Sequence, residues 1–187
     1  MLYLQPYIDY LAEFHGSRDY FECHELLEDH WKQTGGGRNS VWVCLIQAAV
    51  GLYHYRRGNV AGAGKLTGKA LAGAASNMGK LEALGIDSRI FIALLTERME
   101  NIRAHVPYRA ESLPIADQLL LELAEKRCRE LGYTWGWTED SENWDLVHRH
   151  LTRNRNGVVL ERKRMLAAKR QLRNRKSASA RSLQTQR

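Results

Sequence analysis

The chain has 187 residues, of which 44% are hydrophobic and 26% charged. This composition is sufficient for a buried core and excludes a chain that is disordered as a whole. No segment approaches the roughly 20 consecutive apolar residues of a membrane-spanning helix. The three cysteines have no paired spacing, which argues against a disulfide framework or a cysteine-ligated zinc site. The N-terminus also lacks the pattern of a secretory signal. These features predict a cytoplasmic protein without membrane association.

The net charge of +7 is unevenly distributed along the chain. Residues 149–187 contain 13 Lys and Arg and one acid, Glu161, a net charge of +12, whereas residues 1–148 carry −5. Such a basic end can serve nucleic-acid binding or can neutralise the acidic body. We favour a solvated or intramolecular role over nucleic-acid binding, because no aromatic residue that could stack on bases lies between Arg149 and Arg175.

Hydrophobic spacing predicts an all-α chain, and no alternating pattern supports a sheet. Asp19 or Ser17 is the expected N-cap of the second helix, Asp87 caps the fifth, and Gly16 is expected to end the first helix. The third helix is apolar on nearly all sides, which predicts a buried central helix. The fourth is rich in Gly and Ala, which predicts a flat face that packs closely on a neighbour. The predicted helices span residues 4–15, 19–33, 40–57, 60–84, 87–102, 115–131, 140–150 and 161–173.

Three regions follow from this pattern. Residues 1–104 are predicted to form a compact helical bundle, and residues 105–173 a smaller helical extension. Residues 174–187 are rich in Ser, Arg and Gln and hold one large apolar residue, Leu183, so they are predicted to be a disordered basic tail.

The second and third predicted helices carry the residues that point to chemistry. A helical wheel places His24, Glu28 and Trp31 on the apolar face of the second helix. Gln47 and His54 share a face of the third, and the short Gly-rich turn between the helices makes them neighbours. We therefore predict one interior polar cluster formed by His24, Glu28, Gln47 and His54.

Three interpretations of this cluster are open. It can be a hydrogen-bonded structural network. It can be a site for a divalent transition metal such as zinc, iron or manganese, with His24, Glu28 and His54 as ligands. It can also be a small-ligand or catalytic pocket. Residues His24–Glu28 match the zincin His-Glu-x-x-His pattern only in part, because Glu28 stands in the place of the second histidine.

Three blocks of the sequence carry a resemblance: they are Asp19–Trp31, Leu45–His54 and Arg57–Ala63. Their order and spacing resemble the bacterial domain-of-unknown-function family 309, whose longer members occur in bacilli and their relatives. The blocks cover roughly residues 5–103, and the remainder is similar to those longer members. The resemblance implies a small, cytoplasmic, all-helical protein and supplies no reaction. The implied motif positions are His24, Glu25, Glu28, Trp31, Gln47 and His54.

The sequence thus favours a binding or scaffold module whose polar cluster is chiefly structural. One alternative is a metal-dependent, hydrolytic enzyme that uses His24, Glu28 and His54, with Glu25 as the base. Another is a nucleic-acid-associated protein that acts through residues 149–187. A divalent transition metal is the cofactor that this pattern can hold, and a protein partner or a homo-oligomer is compatible with it.

Overall fold

The computed structural model describes residues 3–37, 39–138 and 143–149. These residues form eight α-helices and one π-helical segment, Glu13–Ser17, and their only β-type pairing is an isolated antiparallel bridge between Ile86 and Ile115. The predicted all-α class is therefore confirmed. The helix predicted over 161–173 and the tail 174–187 lie outside the described residues. The helices are α1 (Gln5–Ala12), α2 (Tyr20–Gln33), α3 (Val41–Arg56), α4 (Val60–Ser76), α5 (Met78–Ala83), α6 (Ser88–Arg103), α7 (Gln118–Glu130) and α8 (Trp144–Val147).

Side-chain caps fix where several helices begin. The Asp19 carboxylate accepts the Glu22 N–H at 3.0 Å at the start of α2. The Asp87 carboxylate accepts the N–H groups of Arg89 and Ile90 at the start of α6. Each cap satisfies backbone donors that have no partner inside the helix, which is why the beginnings of these helices could be predicted from the sequence.

Several predicted helices have different bounds in the structure. The first does not end at Gly16, because the π-helical segment continues through Gly16 to Ser17, and the short helix predicted over 140–150 begins at Trp144. The helix predicted over 60–84 is divided into α4 and α5 at Asn77, whose φ of −129° departs from helical values. The side-chain amide of Asn77 donates to the Gly73 carbonyl at 2.9 Å. The helix predicted over 115–131 begins only at Gln118, because Ile115 is held in the bridge to Ile86.

The centre of the fold is α3, which packs chiefly against α2 and α4. The predicted central position of α3 is confirmed, and none of its residues is exposed, although these two neighbours leave one stripe of it half-buried. Among the described residues no helix combines the length and the apolarity needed to cross a bilayer. The half-buried stripe consists of Val43, Ile46, Gln47, Val50 and His54.

The small residues predicted to give α4 a flat face do bring it close to α3. A Cβ on Gly51 of α3 would lie 2.9 Å from the Thr67 hydroxyl of α4. The Cys44 thiol of α3 lies 3.2 Å from the Ala70 carbonyl of α4 and donates to it. Close backbone approach of this kind needs residues without large side chains on one of the two helices.

A buried arginine joins three parts of the chain. Arg98 of α6 is 1% exposed, and its Nη1 donates to the Ala48 carbonyl of α3 at 2.8 Å. Its Nε and Nη2 bind both carboxylate oxygens of Glu111, with the shortest distance 2.6 Å. Glu111 lies in the connector between α6 and α7. The pair therefore ties that connector to the centre of the bundle.

The three cysteines are free and buried. Cys23, Cys44 and Cys128 belong to α2, α3 and α7, respectively. Burial raises the pKa of all three thiols. They are therefore packing residues, as the sequence predicts for Cys23 and Cys44, because the thiolate needed for reaction is disfavoured.

We predict opposite effects for two Gly→Ala substitutions. Gly16→Ala places a Cβ 2.5 Å from the Cys128 Sγ and 2.8 Å from the Tyr133 Cβ, so it should lower the free energy of unfolding by about 1–3 kcal/mol. Gly68→Ala in α4 meets nothing within 4 Å and should raise that free energy by about 0.5–1 kcal/mol. Urea unfolding of both variants tests this, and equal effects would contradict it.

Removing the partner of Arg98 should be costly. Glu111→Ala leaves a buried guanidinium without its carboxylate, and we expect the free energy of unfolding to fall by about 3 kcal/mol. Glu130→Ala is the matched control, because this α7 carboxylate is 49% exposed and its ion pairs contribute less than about 1 kcal/mol. Similar losses in urea unfolding for the two variants would show that Arg98 does not depend on Glu111.

Candidate functional site

The predicted site residues of the second helix, His24 and Glu28, belong to α2, which is held in place by its packing on the core. Tyr20, Cys23 and Leu27 of α2 have no exposed surface and fix the helix to the core. His24 and Glu28 follow Cys23 and Leu27 by one position, so they lie at the edge of the buried face. Their backbone positions are therefore set by packing, while their side chains reach solvent.

His24 lies between two carboxylates. Its Nδ1 is 3.2 Å from Glu25 Oε1, and its Nε2 is 3.6 Å from Glu28 Oε2. Lys32, one turn further along α2, has its Nζ 3.0 Å from the same Glu28 oxygen. The side chains of His24, Glu25 and Glu28 are 27%, 25% and 33% exposed. One ligand atom from each of these three residues, the His24 group, lies within 4.8 Å of the others.

The predicted interior location of His24 and Glu28 is wrong. The buried face of α2 consists of Tyr20, Cys23 and Leu27, so the side that faces the core is turned toward Cys23, and His24 and Glu28 lie at its edge. The physical reason is the cost of removing a carboxylate from water without a full set of partners, which favours the orientation that leaves Glu28 partly solvated.

Gln47 and His54 are directed to α4. Gln47 lines a cavity of about 240 Å³ that also includes Lys69 and Gly73 of α4. His54 Nδ1 is 3.0 Å from the side-chain nitrogen of Asn59, the residue before α4. Burial lowers the pKa of His54, and Arg57 lowers it further. In the part of the chain that the structure describes, the convergent ligand group contains Glu25 and does not include His54.

Trp31 closes the turn after α2. Its Nε1 donates to the Gly37 carbonyl at 3.1 Å. Gly36, which has a φ of +58°, lies against the same indole ring. Trp31 therefore holds the Gly-rich connection to α3 in place, which is a structural role.

A second group of polar residues was not predicted from the sequence. It surrounds the π-helical segment, where Glu13 is 9% exposed. The Ser17 hydroxyl donates to one Glu13 oxygen, and the Tyr133 hydroxyl donates to the other at 3.3 Å. Burial is the largest cause of a raised pKa at Glu13. An acid four residues before a serine, inside an otherwise apolar segment, was the available sequence signal.

The same segment contains a buried histidine. His15 stacks on Trp135 with ring centroids 4.2 Å apart and planes inclined by 6°. Burial, and secondarily Arg18, lowers the His15 pKa to about 3. Among the described residues its Nε2 has no hydrogen-bond partner. His15 is therefore a neutral packing residue near neutral pH.

A cavity of about 610 Å³ lies beside the π-helical segment. Its walls come from this segment, from the start of α2, from residues 132–137 and from the region of α8 with Arg149. Three acids and a guanidinium line it together with two aromatic residues. They are Glu13, Asp19, Glu22, Arg149, Tyr133 and Trp137.

Comparison with known proteins places the chain in a family. Residues 7–66 match the family model described as Domain of unknown function (DUF309). The chain is 40% identical over 164 residues to "Uncharacterized protein YpuF" of Bacillus subtilis (strain 168), an alignment that covers 87% of this chain and 94% of that protein. No solved structure matches the chain. The identity and coverage of this relative, together with the family match, show that the chain belongs to the DUF309 family.

Proposed function

We propose that the chain is a helical binding module that holds a divalent transition-metal ion at His24, Glu25 and Glu28 of α2. The observation that carries this proposal is the convergence of one imidazole nitrogen and two carboxylate oxygens within 4.8 Å. Imidazole and carboxylate ligands together suit zinc, manganese and iron. Partial exposure of all three side chains gives an ion access from solvent.

The ligand spacing needs only side-chain adjustment. Two ligand atoms that each lie about 2.1 Å from one ion are at most about 4.2 Å apart. The observed separation of up to 4.8 Å is slightly larger, so the ligands must close by several tenths of an ångström. Half-buried side chains on a fixed helix can make this change by rotamer adjustment, and the backbone does not have to move.

Lys32 competes with the proposed ion. Its ammonium lies 3.0 Å from the Glu28 oxygen that is 3.6 Å from His24. A metal ion bound there takes over the negative charge that Lys32 now neutralises. Loss of Lys32 should therefore leave metal affinity unchanged or increase it, whereas loss of a ligand should decrease it.

Binding fits this geometry better than hydrolysis does. The hydrolytic alternative needs a base that is separate from the ligands, and Glu25 was its candidate. Glu25 lies 3.2 Å from His24 and belongs to the convergent group, so in this proposal it is a ligand. His54, which the same alternative used as a ligand, bonds to Asn59 on the side of α4.

Metal titration of the full-length chain without a histidine tag tests the proposal. Isothermal titration calorimetry with Zn²⁺ and Mn²⁺ should show one ion per chain. His24→Ala and Glu28→Gln should each weaken binding at least about tenfold, since each removes one of three ligands. Asp29→Asn is the matched control, because it removes an exposed carboxylate from the same helix and should leave binding unchanged.

In these variants, loss of folding stability can be distinguished from loss of a metal ligand. Glu28 is one-third exposed, so Glu28→Gln should change the free energy of unfolding by less than about 1 kcal/mol. Lys32→Gln should bind the ion at least as tightly as the unaltered chain. No binding to the unaltered chain, or binding that survives His24→Ala, would disprove the proposed site.

A further inference from the structure

A groove between α6 and the connector that follows it has the dimensions of a small-molecule site. Its volume of about 410 Å³ falls within the roughly 300–1,000 Å³ typical of ligand pockets. Leu94, Glu97 and Asn101 form the α6 wall, and their helical spacing places them on one face of that helix. Residues 106–107 and 109–111 form the connector wall. Both walls lie entirely within the described range 39–138.

The connector wall is held in a defined shape by three contacts. Arg98 binds the Glu111 carboxylate, and the Tyr55 hydroxyl donates to the Val106 carbonyl. The Val106 N–H in turn donates to the Asn101 carbonyl at 2.9 Å, where the connector leaves α6. A groove whose walls are already ordered loses little conformational entropy when a ligand binds.

The two walls carry opposite charges that have no partner in the described chain. The Glu97 carboxylate belongs to the α6 wall and the Arg109 guanidinium to the connector wall, and both residues are exposed. Neither side chain forms an ion pair or a hydrogen bond with a described residue, and the two do not pair with each other. The half-buried side-chain amide of Asn101 likewise bonds to no described residue. These three groups are therefore available to a ligand.

The balance of these charges selects the kind of ligand. Arg98 neutralises Glu111, so Glu97 and Arg109 supply one uncompensated charge of each sign. A small anion that pairs with the guanidinium leaves the carboxylate unmatched, and a small cation does the reverse. A ligand that carries both charges can pair with both walls at once, and such complementarity gives specificity.

The groove also offers aliphatic surface. Leu94, Val106, Pro107 and Ala110 line it, and Val106 is 38% exposed. Covering such surface with an apolar group is favourable, because it removes apolar area from water. The lining thus suits a zwitterion that also has an aliphatic part.

We propose that this groove binds a free α-amino acid with an aliphatic side chain. The ligand carboxylate pairs with Arg109, whose guanidinium can bind it through two N–H groups, and accepts from the Asn101 amide. The ligand ammonium group pairs with Glu97. The aliphatic side chain packs on Leu94 and Val106. This site is independent of the proposed metal site, because its lining includes none of the three proposed metal ligands.

Calorimetric titration of the full-length chain with L-leucine tests the proposal. Saturable binding of one leucine per chain is expected. Two analogues test the need for both charges: 4-methylpentanoate lacks the ammonium group of leucine, and 3-methylbutylamine lacks its carboxylate. Each should bind at least about tenfold more weakly than leucine, because each leaves one charged group of the groove without a partner.

Matched variants separate the groove from the general surface charge. Glu97→Gln and Arg109→Gln should each weaken leucine binding at least about fivefold, since each removes one charge-assisted contact. Glu100→Gln and Arg103→Gln are the controls, because they remove an exposed carboxylate and an exposed guanidinium of α6 outside the groove. All four positions are exposed, so the variants should fold, which circular dichroism verifies.

Three results would overturn the proposal. The first is no saturable binding of leucine. The second is equal affinity for leucine and 4-methylpentanoate, which would show that the groove recognises only the aliphatic part and the carboxylate. The third is equal weakening of leucine binding by the groove variants and by their controls, which would indicate a general effect of surface charge.

Discussion

Two buried guanidinium groups meet at Glu111, and the arrangement of the described chain depends on this junction. Arg98 binds the Glu111 carboxylate, while Arg18 Nη1 donates to the Glu111 carbonyl at 2.6 Å. Arg18 also donates to the carbonyls of Phe14 and Trp137. Burying a guanidinium is costly unless its charge and its N–H groups are satisfied. The segments that satisfy these two groups are therefore fixed relative to each other: the π-helical segment, the connector after α6 and the aromatic segment after α7.

The polar groups at α2 lie in two different settings. The His24 group lies on the partly exposed side of the helix, where its side chains reach solvent. The cavity lies at the beginning of the helix, where the π-helical segment turns into it through Arg18, whose φ is +59°. The non-glycine left-handed conformation is held by the three carbonyl contacts of the Arg18 guanidinium. One site thus depends on local helix spacing and the other on contacts between distant segments.

That difference decides how much could be predicted from the sequence. Helix spacing and the caps Asp19 and Asp87 depend on neighbouring residues, so the all-α fold and the bounds of α2 and α6 were within reach. Cys23 rather than His24 faces the core, and the helical wheel could not distinguish these two adjacent positions, because both lie next to the apolar residues Tyr20 and Leu27. The partners of Glu13 could not be predicted, because Tyr133 is 120 residues away in sequence.

The buried thiols have a consequence for following the motions of this fold. A thiol-specific alkylating reagent can reach a buried, protonated cysteine only after local opening, so the rate of modification reports how often that region opens. Cys23, Cys44 and Cys128 belong to three different helices, α2, α3 and α7. Single-cysteine versions of the chain would therefore report opening separately for the helix that carries His24, for the central helix and for the helix packed on Gly16. The protein contains its own set of local exchange probes, one for each of these regions.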